Sequence, residues 1–453
     1  MQIVLSPGQL VPLTIEKPAS GGRMIARVDG QVVLVGGAIP GERVTARIER
    51  VGKGVAYATV AQVEEPSLDR RDPFGDLLCG GCLYAHISYP RQLDIKAQVI
   101  GDGFARIGHL TLPSPLRVAG SPEDGYRMRA RLHVRHGHAG FFREGTHDVC
   151  DARLTRQLLP QTCDVVERIV AGLRSHGIDT VREVEVSENV DASERVVHLD
   201  AMSPTDLGAL TALGEIEGLS GLTISSPSTR PAPADTPSPG NGEARRRGVE
   251  ARLRGGGSRP ETIAGDPHVT DVLSMGNDRM TLRRHVLAFF QGNRYLLPQL
   301  VAHVASQIDR NSSVIDLYAG TGLFAAAAAI ARGARVTAVE GDRTAAQDLD
   351  RNAMQTAGAV RTVHQPVEAF TARAHEAPDA LIVDPPRTGM SRETMDGVIR
   401  LRGRRIVYVS CDVATLARDS RRLVDAGYAI QRVDAFDLFP NTPHVETIVV
   451  FRI

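Results

Sequence analysis

The chain has 453 residues, enough for two to four domains that each bury a core of their own. Lysine plus arginine number 53, as do aspartate plus glutamate, so global charge neither indicates nor excludes a nucleic-acid partner. Five cysteines argue against a disulfide framework, and the N-terminus lacks the pattern of a signal peptide, so we expect a cytoplasmic protein. The longest apolar stretch, 323–331, is too short to span a bilayer, so we expect no membrane partner.

Residues 1–65 alternate apolar and polar positions between turn signals. Asp29-Gly30 separates two strand-like runs, and Pro40-Gly41 marks a further turn. The pattern predicts a small β-barrel of five strands. Such barrels often bind oligonucleotides, but the strand pattern alone leaves a generic β-module open.

Residues 66–267 are predicted to form a central α+β domain, and its clearest feature is a basic strand. Apolar residues alternate there with basic ones, which therefore share one face: Arg127, Arg129, Arg131, His133 and Arg135. Such a face suits phosphates, although a solvated face of paired charges has the same pattern. Because no acidic residue intervenes, the strand favours RNA binding.

Residues 225–260 differ in composition from the rest of this region. They consist largely of proline, glycine, serine and threonine, with several arginines. Such a segment cannot bury enough apolar surface to order itself, so we predict a disordered insertion.

Residues 268–453 alternate short apolar runs with helix-like stretches. The runs are residues 314–317, 336–339, 380–383 and 406–409. This alternation predicts a parallel α/β sheet.

A glycine loop follows the first of these runs. Gly320-Thr321-Gly322 opens a helix-like stretch, and Glu340 ends the next run, where it can accept ribose hydroxyls. The pattern fits both a nicotinamide enzyme and an S-adenosylmethionine enzyme. Because it begins only at residue 320, little chain remains for the chemistry, which favours a compact methyltransferase domain with Asp316 near the methionine part of the cofactor.

The tetrad Asp384-Pro385-Pro386-Arg387 follows the third run, at the edge where α/β sheets bind ligands. Two prolines stiffen the loop, so a carboxylate and a guanidinium are held near the reacting end of the cofactor. Alone the tetrad can be a rigid turn. In register with the glycine loop it indicates methyl transfer to a planar base.

Cys411 follows the fourth run and precedes a helix-like stretch, where a helix dipole favours a thiolate. Carbon 5 of uracil is too weak a nucleophile to take a methyl group directly. A thiolate that adds at carbon 6 activates carbon 5, and a base must later remove the carbon-5 proton. Glu446 is the best candidate for that base. An inert buried thiol is the competing interpretation of Cys411.

Six segments resemble the RNA uracil-5-methyltransferase family: FFQGN, DLYAGTG, VEGD, DPPRTG, YVSCDVATLARD and FPNTPHVE. Residues 1–65 resemble its N-terminal RNA-binding TRAM domain. By position, the resemblance implies that Cys411 is the nucleophile and Glu446 the base. It also implies that S-adenosyl-L-methionine is the cofactor, bound by Gln291, Tyr318, Glu340 and Asp384. Asn293 lies in the same FFQGN segment without an assigned role.

The chain departs from the family at its cysteines. Members of the ribosomal-RNA branch often carry four cysteines for an iron–sulfur cluster, in the pattern C-x5-C-x2-C with a distant fourth. The last three positions are matched by Cys79, Cys82 and Cys150. Pro73 stands at the first position and cannot bind a metal, although Asp72 or Asp76 can substitute. A cluster with one non-cysteine ligand, a weakly bound cluster or zinc, and no metal all stay open.

We therefore predict a monomeric α/β protein with a C-terminal Rossmann-like S-adenosylmethionine-dependent methyltransferase domain at 268–453. It would follow an OB-like TRAM barrel and the central RNA-binding domain, and would methylate a uridine of RNA, 23S rRNA in preference to tRNA. A nicotinamide-dependent oxidoreductase is an alternative supported only by the glycine pattern. A non-catalytic RNA-binding protein is another, against which the intact Cys411 and Glu446 argue.

Overall fold

The structure is a computed structural model that describes residues 4–113, 115–227, 260–276 and 278–453. Most of the predicted insertion, residues 228–259, lies outside the described residues. Within the described ranges, no helix has both the length and the apolar character that a membrane span requires.

The N-terminal region is a curled β-sheet in which β1 lies against β3. Its strands are β1 (Leu10–Thr14), β2 (Lys17–Pro18), β3 (Met24–Val28), β4 (Gln31–Gly36), β5 (Arg43–Val51) and β6 (Val55–Glu65), in the order β1-β5-β6-β4-β3-β2. The predicted turn at Asp29-Gly30 is confirmed, since both residues have positive φ angles and join the paired strands β3 and β4. The short strand β2, absent from the sequence prediction, makes six strands rather than five.

The segment after the barrel packs against the C-terminal domain. Helix α1 (Tyr89–Gly103) continues into a π-helical turn (Phe104–Gly108), and a short strand, β7 (Val118–Ala119), follows. Ile100 and Phe104 are buried in the core beneath the C-terminal sheet, and β7 joins the edge of that sheet. Part of the predicted central region is therefore built into the methyltransferase domain.

The central region forms a second sheet with the order β10-β9-β8-β11-β12-β13-β14. Its strands are β8 (Arg129–Arg135), β9 (His138–Phe142), β10 (Val149–Asp151), β11 (Val181–Glu188), β12 (Arg195–Ala201), β13 (Gly221–Ser225) and β14 (Glu261–Gly265). Helices α2 (Pro160–Ser175) and α3 (Leu207–Thr211) bury their apolar faces against this sheet. The region is thus α+β, as predicted.

The basic residues of β8 do not form an open stripe. Glu185 of the neighbouring strand β11 binds both Arg129 and Arg131, the latter at 3.1 Å, and Glu183 lies 3.2 Å from His133. Of the two interpretations that the sequence left open, the structure shows the face of paired charges. The acids belong to a strand some 50 residues away, which the local pattern does not reveal.

A hairpin of β15 (His268–Met275) and β16 (Asp278–His285) leads into the C-terminal domain. Its sheet has the order β19-β18-β17-β20-β21-β23-β22-β7. The strands are β17 (Ser313–Leu317), β18 (Arg335–Glu340), β19 (Val360–His364), β20 (Ala380–Val383), β21 (Arg405–Ser410), β22 (Ala429–Phe436) and β23 (Glu446–Arg452). The helices are α4 (Leu297–Ser306), α5 (Leu323–Arg332), α6 (Arg343–Ala353), α7 (Val367–Arg373), α8 (Arg392–Leu401) and α9 (Val413–Asp425).

Two apolar cores cover the two faces of this sheet, one around α4 and α5 and the other around α8, α9 and α1. Strands β17 to β21 pair in parallel, whereas β23 runs antiparallel to β21. The four apolar runs of the sequence are all central parallel strands, which are buried on both faces and therefore continuously apolar. The predicted Rossmann-like fold is confirmed.

Candidate active site

The predicted site residues converge on the carboxyl edge of the C-terminal sheet. Glu340 ends β18, and Asp316 is the last residue but one of the neighbouring β17. Asp384 and Cys411 directly follow β20 and β21. These four strands are consecutive neighbours in the sheet, so their ends meet at one edge.

The glycine loop has a left-handed backbone. Tyr318, Gly320 and Gly322 have φ angles of 62°, 55° and 91°. A side chain on Gly322 would lie 2.7 Å from Leu349, whereas the space beside Gly320 is open. Tyr318, a bulky residue that rarely adopts this conformation, is held by a 3.3 Å hydrogen bond from its hydroxyl to Thr394. The loop therefore leaves a cradle into which a ligand can approach the backbone.

Two carboxyl groups flank this cradle. Both oxygens of Glu340 accept backbone hydrogen bonds, from Gly320 at 2.8 Å and from Asp342 at 2.6 Å. Asp316 is fully buried, and among the described residues its carboxyl oxygens have only a weak contact with the Ala325 backbone, which lowers its pKa slightly, and no close hydrogen-bond partner. Burial, together with the nearby Asp384 carboxyl, raises the pKa of Asp316 well above its ordinary value. An unpartnered buried carboxyl group of this kind is what a polar or cationic ligand would satisfy.

Gln291 and Asp384 form the other wall. The buried Gln291 amide donates to Asp384 at 3.4 Å, which joins the FFQGN segment to the Asp384-Pro385-Pro386-Arg387 loop. Burial raises the pKa of Asp384 to about 7. Its charge is therefore poised to change near neutral pH.

Cys411 and Glu446 come together through strand pairing. Ser410, the last residue of β21, lies opposite Thr447, the second residue of the antiparallel strand β23. The next residue on each side is Cys411 and Glu446, so the predicted nucleophile and base sit at the same edge although 35 positions separate them. Cys411 is half-buried with a free thiol, and Glu446 is buried.

The electrostatics of this pair differ from the expectation. The dipole of α9 was expected to favour a thiolate, but burial and the neighbouring Glu446 raise the pKa of Cys411 to about 12. Arg387 hydrogen-bonds the thiol and opposes this shift. Burial and Asp384 likewise raise the pKa of Glu446 well above its ordinary value. In the free protein the thiol therefore stays protonated, because desolvation outweighs the helix dipole.

Asn293 has a structural role that the sequence did not indicate. Its side-chain oxygen accepts hydrogen bonds from the backbone of Tyr295 and Leu296 at the start of α4, each at 3.0 Å. Its amide nitrogen donates to Ser121 at 2.9 Å and to the Leu438 carbonyl at 3.1 Å. Asn293 thus orders the turn that precedes α4, and the local sequence contains no signal for the contacts with Ser121 and Leu438.

The three cysteines proposed as metal ligands lie around one cavity of about 170 Å³. Cys79 and Cys150 form a disulfide, however, and burial raises the pKa of the remaining Cys82 thiol to about 12. Asp76, which also lines the cavity, is paired with Arg143. Within the described parts of the chain, no group of three or more His, Cys, Asp or Glu side chains is arranged to hold a metal ion. These donors, as arranged, do not fit an iron–sulfur cluster, and the metal site stays a prediction.

The cradle does fit S-adenosylmethionine. The open space beside Gly320, the carboxylate of Glu340 and the unpartnered Asp316 offer contacts for a ligand that carries ribose hydroxyls and positive charge. The fold and this site define a Rossmann-like S-adenosylmethionine-dependent methyltransferase.

Comparison with known proteins narrows the class. The family described as tRNA (Uracil-5-)-methyltransferase matches residues 245–452, and the TRAM domain matches residues 5–61. The 23S rRNA (uracil(1939)-C(5))-methyltransferase RlmD of Pseudomonas putida is 30% identical over 98% of this chain and 94% of its own. The enzyme of that name from Halomonas elongata is 31% identical over 97% and 89%. This chain belongs to the RNA uracil-5-methyltransferase family.

A solved structure has the same overall fold. The Pyrococcus abyssi tRNA (uracil-54, C5)-methyltransferase, in complex with S-adenosyl-L-homocysteine, superposes with a TM-score of 0.71. At 22% identity, the match covers 97% of this chain and 99% of that one. The arrangement of barrel, central region and methyltransferase domain is therefore shared along the whole chain.

Proposed function

We propose that this enzyme methylates carbon 5 of a uridine in 23S rRNA through a covalent adduct between the Cys411 sulfur and carbon 6 of the base. The observation that carries the proposal is the pairing of Ser410 with Thr447, which sets Cys411 beside Glu446 and next to the Asp384 loop. A nucleophile and a proton acceptor thus share one wall of the cofactor cradle.

Gln291, Tyr318, Glu340 and Asp384 would hold S-adenosylmethionine, which supplies an electrophilic methyl group on a sulfonium when bound. Glu340 would bind the ribose hydroxyls, because its carboxylate keeps free lone pairs beside its two backbone contacts. Asp384 and Asp316 would offer negative charge to the cationic part of the molecule, which favours their ionised forms.

Cys411 would act first. Its thiol gives its proton to water, and the resulting thiolate forms a bond to carbon 6 of the uracil ring. The electron pair of the 5,6 double bond moves toward carbon 4 and its oxygen, which makes carbon 5 nucleophilic. Arg387, which hydrogen-bonds the thiol, would stabilise the thiolate. Carbon 5 would then take the sulfonium methyl group, with S-adenosylhomocysteine as the leaving group, and Glu446 would remove the carbon-5 proton. The electron pair of that bond re-forms the double bond and expels the thiolate.

The choice of 23S rRNA rests on the relatives. Both RlmD proteins named above match over nearly their whole length, and the TRAM domain belongs to that shared length. The tRNA enzyme of Pyrococcus abyssi has lower identity and shares the fold. Transfer RNA is therefore the alternative substrate that the experiment must distinguish.

The proposal is tested with purified enzyme, labelled S-adenosylmethionine and total RNA from a strain that lacks this gene. Labelled 5-methyluridine in the large ribosomal RNA is the expected product. Label in transfer RNA would keep the chemistry and overturn the substrate. No 5-methyluridine in either RNA, with the cofactor bound, would overturn the proposed chemistry.

A further inference from the structure

The loop that leads into Glu446 is held by residues from outside the methyltransferase sheet. Phe436 of β22 pairs with Glu446 of β23, and residues 437–445 connect them. We call these nine residues the base loop. Because it ends at Glu446, its conformation sets where that carboxyl group stands.

One end of the base loop is fixed by a buried ion pair. The Lys96 ammonium of α1 lies 2.5 Å from the Asp437 carboxylate, and both side chains are almost inaccessible to solvent, 1% and 0% exposed. The same ammonium donates to the Phe439 carbonyl at 3.2 Å. A single cation from α1 thus holds two points of the loop.

The middle of the base loop is fixed by Asn441, which has a left-handed backbone with a φ of 64°. Gln92, one helical turn before Lys96, pairs with it twice. Its side-chain oxygen accepts the Asn441 backbone N–H at 2.9 Å, and its nitrogen donates to the Asn441 side chain at 2.9 Å. Tyr84 donates its backbone N–H to the Asn441 carbonyl at 2.9 Å. Each contact is buried and comes from the segment that follows the TRAM barrel.

We propose that Lys96, through Asp437 and Phe439, is a positioning residue for Glu446, with Gln92 as its partner on α1. This inference rests on the proposed function, in which Glu446 removes the carbon-5 proton. A base displaced by a fraction of an ångström slows that proton transfer and leaves the earlier bond formation at Cys411 intact. The methylated enzyme–RNA adduct then accumulates.

The test uses Lys96→Met/Asp437→Asn, which removes both charges together and avoids a lone buried ion. We expect turnover to fall on the order of 100-fold, KM for S-adenosylmethionine to stay within about twofold, and a covalent RNA adduct to appear on denaturing gels. Asn441→Gly, which keeps the left-handed backbone and loses the side-chain contacts, should give the same signature.

Glu42→Gln is the matched control, because Glu42 is fully buried and pairs with Arg70 at 2.6 Å at the barrel junction, and neither side chain hydrogen-bonds the base loop. It should lower the melting temperature without adduct. If both base-loop variants show reduced turnover without an adduct, or unchanged turnover, the positioning role of Lys96 is wrong and the proposed function stands. A wild-type enzyme that methylates no RNA would overturn the proposed function and this inference with it.

Discussion

Ser410 and Thr447 face each other across an antiparallel strand pair, and this register makes Cys411 and Glu446 neighbours. A shift of one residue would turn every side chain of β23 to the opposite face of the sheet and remove Glu446 from the site. Because β23 is buried along most of its length, that register is strongly specified.

Replacing Cys411 by alanine should abolish methylation, with a loss of at least about a thousand-fold, because the proposed adduct forms on the sulfur that alanine lacks. Binding of S-adenosylmethionine, measured by calorimetry, should be unchanged. Cys163→Ala is the control, since this buried thiol packs in the central core and should keep normal turnover. Substantial activity of Cys411→Ala would rule out covalent catalysis by this residue.

Glu446→Gln should trap the methylated enzyme–RNA complex, because the amide cannot accept the carbon-5 proton. The complex should survive denaturing electrophoresis and carry label from the cofactor. The double variant Cys411→Ala/Glu446→Gln should show no such band. A Glu446→Gln enzyme that turns over normally would exclude this residue as the base.

The affinity for S-adenosylmethionine should depend on pH near neutrality. Burial raises the pKa of Asp384 to about 7, so the carboxyl group is neutral below that pH and anionic above it. A sulfonium binds the anion more tightly, so the Kd should fall as pH rises, by about tenfold between pH 6 and pH 8. The comparison ligand is S-adenosylhomocysteine, which lacks the sulfonium charge and should respond less. An equal pH response in Asp384→Asn would assign the effect to another group.

Two residues of the FFQGN segment should respond differently to substitution. Gln291→Ala removes the amide that contacts Asp384 and should weaken cofactor binding with little change in melting temperature. Asn293→Ala removes the bonds to the turn before α4 and those to Ser121 and Leu438, and should cost about 1–3 kcal/mol of the free energy of unfolding. Calorimetry and thermal denaturation of both variants provide the check. Lower stability of Gln291→Ala together with weaker cofactor binding by Asn293→Ala would contradict these roles.

The cysteine cavity can be tested by counting thiols and metal. With Cys79 and Cys150 linked, denatured and unreduced protein should show three reactive thiols, those of Cys82, Cys163 and Cys411. Iron and acid-labile sulfide should be near zero in anaerobically purified protein. Five thiols together with about four iron atoms per chain would instead support a cluster with a non-cysteine ligand.

Much of the candidate site could be predicted from the sequence, because its residues follow local signals. The apolar runs 314–317 and 380–383 are central strands of a parallel sheet, and chemistry in such sheets lies at the strand ends. Asp316, Asp384 and Cys411 were therefore placed at the correct edge from strand endings alone. Their roles in binding and catalysis stay predictions for the experiments above.

Charge pairing, pKa shifts and loop contacts that involve residues distant in the sequence became clear only from the tertiary structure. The basic face that includes Arg129 and Arg131 favoured RNA binding, but both arginines pair with Glu185 of the neighbouring strand. The thiol of Cys411 was expected to ionise beside a helix, but burial raises its pKa. Nothing in the sequence around Lys96 indicated that its side chain pairs with Asp437 in the loop before Glu446. Strand endings and glycine turns are encoded within a few residues, whereas charge pairing and desolvation depend on side chains that only folding brings into contact.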